Sequence, residues 1–215
     1  MDTQALLRST ARLSLVAVAA FAAVSAHAAA GDIVVRARVL QMNPANEAFG
    51  PVLGTSSATD VTVSDRKLWE VDASYFVTDN VALELIAPPP PKHTVSLGGT
   101  RLGTVRHLPP VLTAQYHFAP TNPVVRPYVG FGVNYTHFSA VDLNLSGTEL
   151  DIKRHSWGTA FQMGADFPIT DKLSFNVDFK KVDIRTDVKI KSTGDHLGTI
   201  KIDPVLFGIG LGYKF

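Results

Sequence analysis

Residues 205–215 read VLFGIGLGYKF. This stretch decides the fold because large apolar residues occupy every second position along its whole length. In a strand its large apolar side chains point to one face, while its glycines, with Leu206 and Lys214, point to the other. A soluble sheet usually buries such an apolar face against a second layer. The segment instead ends on Phe215, two residues after Tyr213, which is typical of the last strand of outer-membrane barrels. We expect Tyr213 and Phe215 to be the signal that the barrel-assembly machinery recognises.

The first residues have the parts of an export signal. Two arginines precede an apolar run over residues 13–24, and residues 26–28 read AHA, which matches the A-x-A cleavage pattern. The run is too short and too rich in alanine to be a membrane-spanning helix. We therefore predict a signal peptide over residues 1–28 and one mature domain, an outer-membrane β-barrel, over residues 29–215.

Composition excludes several classes of protein. Removing Arg8, Arg12 and Asp2 from the 20 basic and 19 acidic residues leaves 18 of each, so the mature chain lacks the basic excess that a nucleic-acid partner requires. The absence of cysteine excludes disulfides and thiolate sites. No later run reaches the roughly 18 apolar residues of a spanning helix. An integral protein of this composition must be a barrel, which satisfies every backbone polar group without water.

Stretches as long as a strand, in which apolar residues alternate with polar or small ones, recur through the mature chain. The predicted fold class is therefore all-β, an eight-stranded antiparallel transmembrane β-barrel. The predicted strands lie at about 32–41, 67–77, 81–86, 104–118, 127–138, 155–167, 173–180 and 205–215. The connections between them alternate in length, and the long ones are residues 42–66, 87–103, 139–154 and 181–202.

Short turns at one end and long loops at the other are the outer-membrane arrangement. Because the number of strands is even, both termini are expected in the periplasm. We therefore predict a monomer in the outer membrane of a Gram-negative cell, in contact with outer-membrane lipid and lipopolysaccharide. The proline pair Pro109-Pro110 falls inside the fourth predicted strand, where it predicts an interrupted hydrogen-bond ladder or a bulge.

Several blocks of sequence resemble the OmpW family of eight-stranded outer-membrane barrels. The blocks are residues 78–85, 105–118 (VRHLPPVLTAQYHF), 126–138 (RPYVGFGVNYTHF), 156–158, 201–204 and the terminal 212–215. The resemblance implies a narrow barrel that moves small hydrophobic molecules inward. It also implies that the solute leaves sideways through the wall near the family's LPP segment, here Leu108, Pro109 and Pro110. Two prolines remove two backbone donors, so the wall is weakest there.

The resemblance further implies an apolar constriction made by one residue on the third strand and one on the seventh. These positions are Ile86 and Lys180, and a lysine departs from the aromatic residue expected there. An ammonium group at this position needs a carboxylate partner, for which Glu84 and Asp178 are candidates. We expect Leu68 and Ile86 to help form the apolar entrance.

The inward-facing side chains leave two interpretations open, a selective pore lining or a salt-bridge network that plugs the barrel. An eight-stranded barrel is just wide enough for its own side chains to fill it. The inward polar set is Arg36, Arg38, Glu70, Asp72, Glu84, Gln115, His117, Asn134, Gln162, Asp166, Asn176, Asp178, Lys180 and Lys214. The inward glycines fit either a cavity or close packing of bent strands. Aromatic residues near strand ends are predicted to form interface girdles, namely Trp69, Tyr75, Phe118, Tyr128, Phe138, Trp157, Phe167 and Tyr213.

An enzyme is not expected. Four histidines, with Ser139 or Ser156, are the candidate catalytic groups, namely His107, His117, His137 and His155, and none forms a recognisable motif. No His, Asp or Glu cluster has metal-ligand spacing, so no metal or cofactor is predicted. The predicted function is a porin-like channel for uptake of small hydrophobic molecules. The alternative is a closed structural or interaction barrel whose extracellular loops bind partners.

Overall fold

The computed structural model describes residues 28–50 and 61–215. The predicted signal peptide, apart from Ala28, lies outside the described residues and stays a prediction. Within the described ranges, no helix is long and apolar enough to cross a membrane.

The described residues form fifteen strands of one antiparallel sheet. In chain order they are β1 (Ile33–Asn43), β2 (Glu47–Phe49), β3 (Val61–Val63), β4 (Arg66–Phe76), β5 (Val81–Ala87), β6 (Lys92–Leu97), β7 (Thr100–Leu108), β8 (Val111–His117), β9 (Arg126–Leu145), β10 (Thr148–Ile152), β11 (His155–Pro168), β12 (Leu173–Val182), β13 (Arg185–Ile190), β14 (His196–Lys201) and β15 (Val205–Lys214).

Eight of these strands close into a barrel, in the order β1, β4, β5, β8, β9, β11, β12 and β15. The terminal strand β15 pairs with β1, for example Ile209 with Val39, and this pairing closes the ring. The predicted eight-stranded antiparallel barrel is confirmed. Its closure leaves no open edge, which is what a strand structure in lipid requires.

The four long connections carry the sheet beyond the barrel. They contain β2, β3, β6, β10, β13 and β14, together with the far ends of β7 and β9. The strand β9 has 20 residues, about twice the 9–11 residues that a tilted membrane crossing needs. The barrel therefore has a tall long-loop end and a short-turn end, and the C-terminal residue Phe215 lies at the short-turn end.

The barrel is apolar outside and polar inside, as strand alternation predicts. On β1, for example, Val39 is 61% exposed while Arg36 and Arg38 are buried. The girdle prediction was wrong for Tyr128 and Phe138, which are each 1% exposed and point inward. Both belong to the inward-facing set of β9, because side chains two residues apart on a strand share a face.

The interior has three levels along the barrel axis. At the long-loop end, an upper core of apolar side chains includes Ile86, Phe138 and Ile184. Below it lies an ionic layer, which consists of Arg36, Arg38, Glu70, Asp72, Glu84, Asp166, Asp178 and Lys180. At the short-turn end a small apolar cluster of Ala28, Val34, Phe76 and Ala82 covers the layer.

Candidate functional site

Lys180 stands at the top of the ionic layer and is fully paired. Its Nζ donates to a carboxylate oxygen of Glu70 and lies 2.8 Å from Oδ1 of Asp178. Of the two predicted partners, Asp178 is correct, whereas the second contact is made by Glu70 rather than Glu84. Glu84 instead accepts a hydrogen bond from Thr113 (3.0 Å) and lies 3.6 Å from Arg38 Nη2. The lysine is therefore part of a network and does not stand alone in an apolar constriction.

Two arginines of β1 hold the rest of the ionic layer together. Arg38 Nη1 lies 3.0 Å from Glu70 and also contacts Asp72. Arg36 Nη2 lies 2.8 Å from Asp166. These charges are buried, and breaking one buried pair by removing a partner is strongly destabilising. The inward polar side chains thus form the plugged arrangement, and the ionic layer closes the lumen.

The inward glycines serve close packing at this level. A Cβ on Gly132 would lie 1.9 Å from the carbonyl oxygen of Leu112 on the neighbouring strand. A Cβ on Gly164 would lie 2.4 Å from the Tyr128 hydroxyl, which donates a 2.7 Å hydrogen bond to Asp178. Glycine at 164 therefore makes room for a tyrosine that completes the ionic layer.

Directly above the ionic layer is an apolar space that we call the inner cavity. Its lining includes Leu68, Ile86, Pro109, Val111 and Ile184, and its floor includes Lys180. The structure thus brings together the predicted entrance residues Leu68 and Ile86, the predicted exit residue Pro109, and Lys180, the lysine that departs from the family pattern. Glu84 and Asp178 lie below, in the ionic layer.

The barrel wall is broken beside the inner cavity. The ladder between β5 and β8 ends at the pair Ile86 and Val111, and the ladder between β6 and β7 begins only at Lys92 and Arg106. Between these pairs, the amide of His107 donates a 3.3 Å hydrogen bond to the Pro91 carbonyl.

Pro109 and Pro110 separate β7 from β8 within this break, so the single strand predicted over residues 104–118 is interrupted, as the proline pair indicated. The Pro110 carbonyl accepts hydrogen bonds from the Tyr135 amide (3.2 Å) and from Asn134 Nδ2 (3.1 Å), which anchors the segment to β9. Leu108 points outward and is 40% exposed.

A second apolar space, the outer cavity, lies farther toward the long-loop end. Its lining includes Val63, Val95, Val105, Phe138, Leu143 and Ile200, together with His93 and His107. His107 lines both cavities and therefore separates them. Each cavity has a volume of about 30 Å³, so a solute larger than a few water molecules must push lining side chains apart.

His93 and His107 stack on each other with ring centroids 5.0 Å apart and an interplanar angle of 20°. On β9 the ladder partner of His107 is Phe138, three residues farther toward the long-loop end than Tyr135, the partner of the exposed Trp157. His107, and His93 beside it, therefore lie beyond the exposed aromatic girdle, outside the membrane-spanning part of the barrel. Burial lowers the pKa of His107 to about 3, and the neighbouring His93 acts in the same direction. Burial also lowers the pKa of His93, against a hydrogen bond to the Ser64 carbonyl that raises it. Both rings are neutral at pH 7.

The remaining predicted site residues lie apart from the cavities. At the short-turn end, the Tyr213 and Phe215 rings meet edge to face, with centroids 4.9 Å apart, and the Phe215 amide donates to the Ile33 carbonyl. Over residues 28–50 and 61–215, no histidine ring hydrogen-bonds to a serine hydroxyl; the Ser156 hydroxyl accepts from the Arg185 amide. In the same ranges no group of three or more His, Cys, Asp or Glu side chains is placed to hold a metal ion.

Sequence reasoning missed two features of the site. Glu70 was in the inward set, but its contact with Lys180 crosses the lumen between strands that are not neighbours, which alternation cannot reveal. His93 carries no signal in the sequence, because it lies in a segment predicted as a loop. In the structure His93 lies on β6, which pairs with β7 beside the proline break. This strand pair forms within the segment predicted as a loop.

Comparison with known proteins identifies the chain's relatives. The model of the OmpW family matches residues 29–215. Outer membrane protein W of Vibrio cholerae serotype O1 is 35% identical over 214 residues, covering 94% of this chain and 97% of that protein. The dibenzothiophene metabolism operon protein PahQ of Pseudomonas aeruginosa is 31% identical over 158 residues, covering 71% of this chain and 73% of that protein.

A solved structure agrees with the sequence matches. The crystal structure of the outer membrane protein OprG from Pseudomonas aeruginosa has a TM-score of 0.76 to this chain at 28% identity, covering 88% of this chain and 98% of OprG. The predicted outer-membrane location is thereby confirmed, and the long-loop end is extracellular. The chain belongs to the OmpW family of outer-membrane β-barrel proteins.

Proposed function

We propose that this protein takes up small hydrophobic molecules across the outer membrane and releases them sideways through the wall at Pro109-Pro110. The observation that carries the proposal is the contrast around the inner cavity. Below the cavity the ionic layer closes the lumen, whereas beside it the strand ladder is broken between Ile86–Val111 and Lys92–Arg106.

Energetics favour the sideways route. An apolar solute gains about 25 cal/mol for each Å² that leaves water, so it enters the outer and inner cavities favourably. To continue down the lumen it would have to separate buried charges such as Lys180 and Asp178, at a cost of roughly 3–5 kcal/mol for each broken pair. To leave sideways it passes two prolines that have no amide hydrogen to donate.

A relative's name points in the same direction. PahQ is named for an operon of dibenzothiophene metabolism, and dibenzothiophene is a small, fused aromatic compound of low polarity. A barrel encoded beside enzymes for such a compound is consistent with delivering it. We extend this chemistry to the present chain as part of the proposal.

A closed interaction barrel is the second candidate, and the filled lumen favours it. In that case the extracellular extension, which includes β10, β13 and β14, would present a surface to partners while no solute passes. The two candidates differ at the proline break, which a purely structural barrel does not need.

We further propose that the protein is not an enzyme, uses no cofactor and works as a monomer in contact with membrane lipid and lipopolysaccharide. Support comes from the separate placement of histidine rings and serine hydroxyls in the described ranges. We also propose that Tyr213 and Phe215 present the assembly signal, because their exposed rings lie beside the seam between β15 and β1.

The test is naphthalene uptake by Gram-negative cells that lack their own OmpW-type proteins. Cells that express the wild-type protein should take up naphthalene faster than cells with an empty vector. The double variant Pro109→Val/Pro110→Thr restores two amide donors at the break and should lower the rate toward the empty control. Pro123→Thr, in the exposed turn before β9, is the matched control and should keep the wild-type rate. Equal uptake by wild-type and empty cells would leave the interaction barrel as the function.

A further inference from the structure

The outer cavity contains two polar atoms that have no hydrogen-bond partner. His93 and His107 are 2% and 1% exposed, and the Nε2 atom of each ring is buried without a hydrogen bond. Their neighbours in the cavity are apolar, apart from Thr186, whose hydroxyl already donates to the Lys153 carbonyl (2.8 Å). Buried polar groups are almost always satisfied, so two unsatisfied nitrogens in residues that line one apolar cavity call for an explanation.

The hydrogen bond of His93 decides what its free nitrogen can do. Its Nδ1 lies 2.9 Å from the backbone carbonyl oxygen of Ser64. A carbonyl oxygen can only accept a hydrogen bond, so Nδ1 carries the hydrogen. A neutral imidazole has one N–H and one lone pair, and Nε2 of His93 is therefore an unpaired acceptor on a residue that lines the cavity. It is complementary to a hydrogen-bond donor and not to a bare hydrocarbon.

The second ring lies where it reinforces this preference. His107 stacks on His93 with centroids 5.0 Å apart and contacts Phe138 at 5.8 Å. When its Nε2 carries the hydrogen, the His107 ring that is stacked on His93 supplies a donor beside the His93 acceptor. A hydroxyl group is both donor and acceptor, so a single hydroxyl is complementary to the pair.

We propose that the outer cavity selects small apolar molecules that carry one hydroxyl group, such as phenols and alkanols, with the hydroxyl donating to His93 Nε2. The carbon skeleton then occupies the apolar space beside Val95, Val105 and Leu143, which widens as these side chains move apart. This inference rests on the proposed uptake function and specifies its substrate class. Because the ligand satisfies nitrogens that are otherwise without partners, its hydroxyl contributes affinity that an equally large methyl group does not.

The test compares 2-naphthol with 2-methylnaphthalene, which differ by a hydroxyl in place of a methyl group. Uptake of each by cells expressing the protein is corrected for uptake by empty-vector cells. After correction for partition into lipid, the wild-type protein should prefer 2-naphthol by about tenfold, the effect of one hydrogen bond. His93→Phe keeps a ring of similar shape without nitrogen and should abolish the preference, with 2-methylnaphthalene uptake retained. His196→Phe, at an exposed histidine of β14, should leave the preference intact.

The outcomes separate this inference from the function on which it rests. If neither compound enters faster than in empty cells, the uptake function itself fails. If both enter but His93→Phe leaves their ratio unchanged, uptake stands and the hydroxyl selectivity is wrong. A measurement on the wild-type protein covers the case in which the variant does not fold. With ¹⁵N-histidine labelling in micelles, 2-naphthol should shift the His93 Nε2 resonance, and an equal response to 2-methylnaphthalene would overturn the inference.

Discussion

The upper core and the ionic layer are built on the same strands with the same alternation, yet they have opposite chemistry. On β5, Ile86 lines the apolar inner cavity, and two residues earlier Glu84 lies in the ionic layer. On β12, Val182 lines the inner cavity, and two residues earlier Lys180 belongs to the ionic layer. One step of two residues along a strand therefore converts a space suited to hydrocarbons into one that excludes them.

The difference is what the proposed sideways uptake through a barrel with a closed lumen requires. The ionic layer gives rigidity, because its charges are costly to separate once buried. The upper core gives an adaptable space, because apolar side chains attract a solute without fixed geometry. The break in the wall lies at the boundary between the two, beside Pro109. Changes in the ionic layer should therefore mainly lower stability, whereas changes in the upper core should mainly alter uptake.

The largest effect is expected at Arg38, which lies within 4.0 Å of four carboxylates. Arg38→Met keeps the length of the side chain but removes the charge that faces Glu70, Asp72, Glu84 and Asp178. We expect a loss of about 3–5 kcal/mol in the free energy of unfolding, since carboxylates remain buried without their partner. Urea unfolding in lipid vesicles, followed by tryptophan fluorescence, measures it.

The matched control for Arg38 is Arg185→Met at the surface of β13. The Arg185 Nε lies 3.8 Å from Asp203 and its side chain is largely exposed, so this change should cost at most about 1 kcal/mol. Equal losses in the two variants would show that the ionic layer is not a rigid unit and would remove the contrast with the upper core.

The next effect concerns Lys180, which lies at the boundary. Lys180→Leu leaves Glu70 and Asp178 short of a cation and should lower the free energy of unfolding by about 3 kcal/mol. Because Lys180 is the floor of the inner cavity and not part of the proposed sideways route, naphthalene uptake per folded barrel should stay at the wild-type rate. Lys181→Leu removes only a hydrogen bond from Nζ to the Asp203 carbonyl (2.7 Å) and is the control for stability, with an expected cost of about 1 kcal/mol. A changed uptake rate with unchanged stability would identify Lys180 as a gate.

A third effect is the pH dependence that the buried histidines of the upper core impart. The pKa of His107 is lowered to about 3 from 6.5, so the unfolded chain binds a proton in that interval and the folded protein does not. Stability should therefore be unaffected by this group above about pH 7 and fall as the pH drops from about 6.5 toward 3, by at most about 1.4 kcal/mol per pH unit. His107→Phe should flatten that part of the unfolding profile. An unchanged profile would contradict the placement of a neutral, buried imidazole here.

Much of the barrel could be predicted because alternation is a local property. Residues 32–41 and 67–77 correspond closely to β1 (Ile33–Asn43) and β4 (Arg66–Phe76). The same rule assigned the inward polar set. Applied to Tyr128, it would also have corrected the girdle assignment, since Tyr128 shares a face with the inward residue Asn134. The proline pair predicted the interruption of the wall because a missing donor is visible in sequence.

Contacts across the lumen could not be predicted in this way. Glu70 and Lys180 lie on β4 and β12, which are separated in the barrel by β1 and β15. Their meeting depends on the tilt and curvature that place opposite walls at the same height. The bond between His93 and the Ser64 carbonyl likewise joins parts of the extracellular extension that are 29 residues apart. Only the assembled sheet reveals that these two residues approach each other.

The smallest effect is expected for a single methyl group in the upper core. Ile184→Val removes one buried carbon from the lining of the inner cavity and should cost about 0.5–1.5 kcal/mol of unfolding free energy. The same change widens a cavity that is too narrow for naphthalene without side-chain movement, so uptake should become faster. Ile209→Val, on the lipid-facing side of β15, is the matched control and should leave uptake unchanged. Slower uptake through Ile184→Val would mean that close contact between the solute and the lining drives the solute onward, and that the width of the cavity does not. The upper core would then resemble the ionic layer in its rigidity.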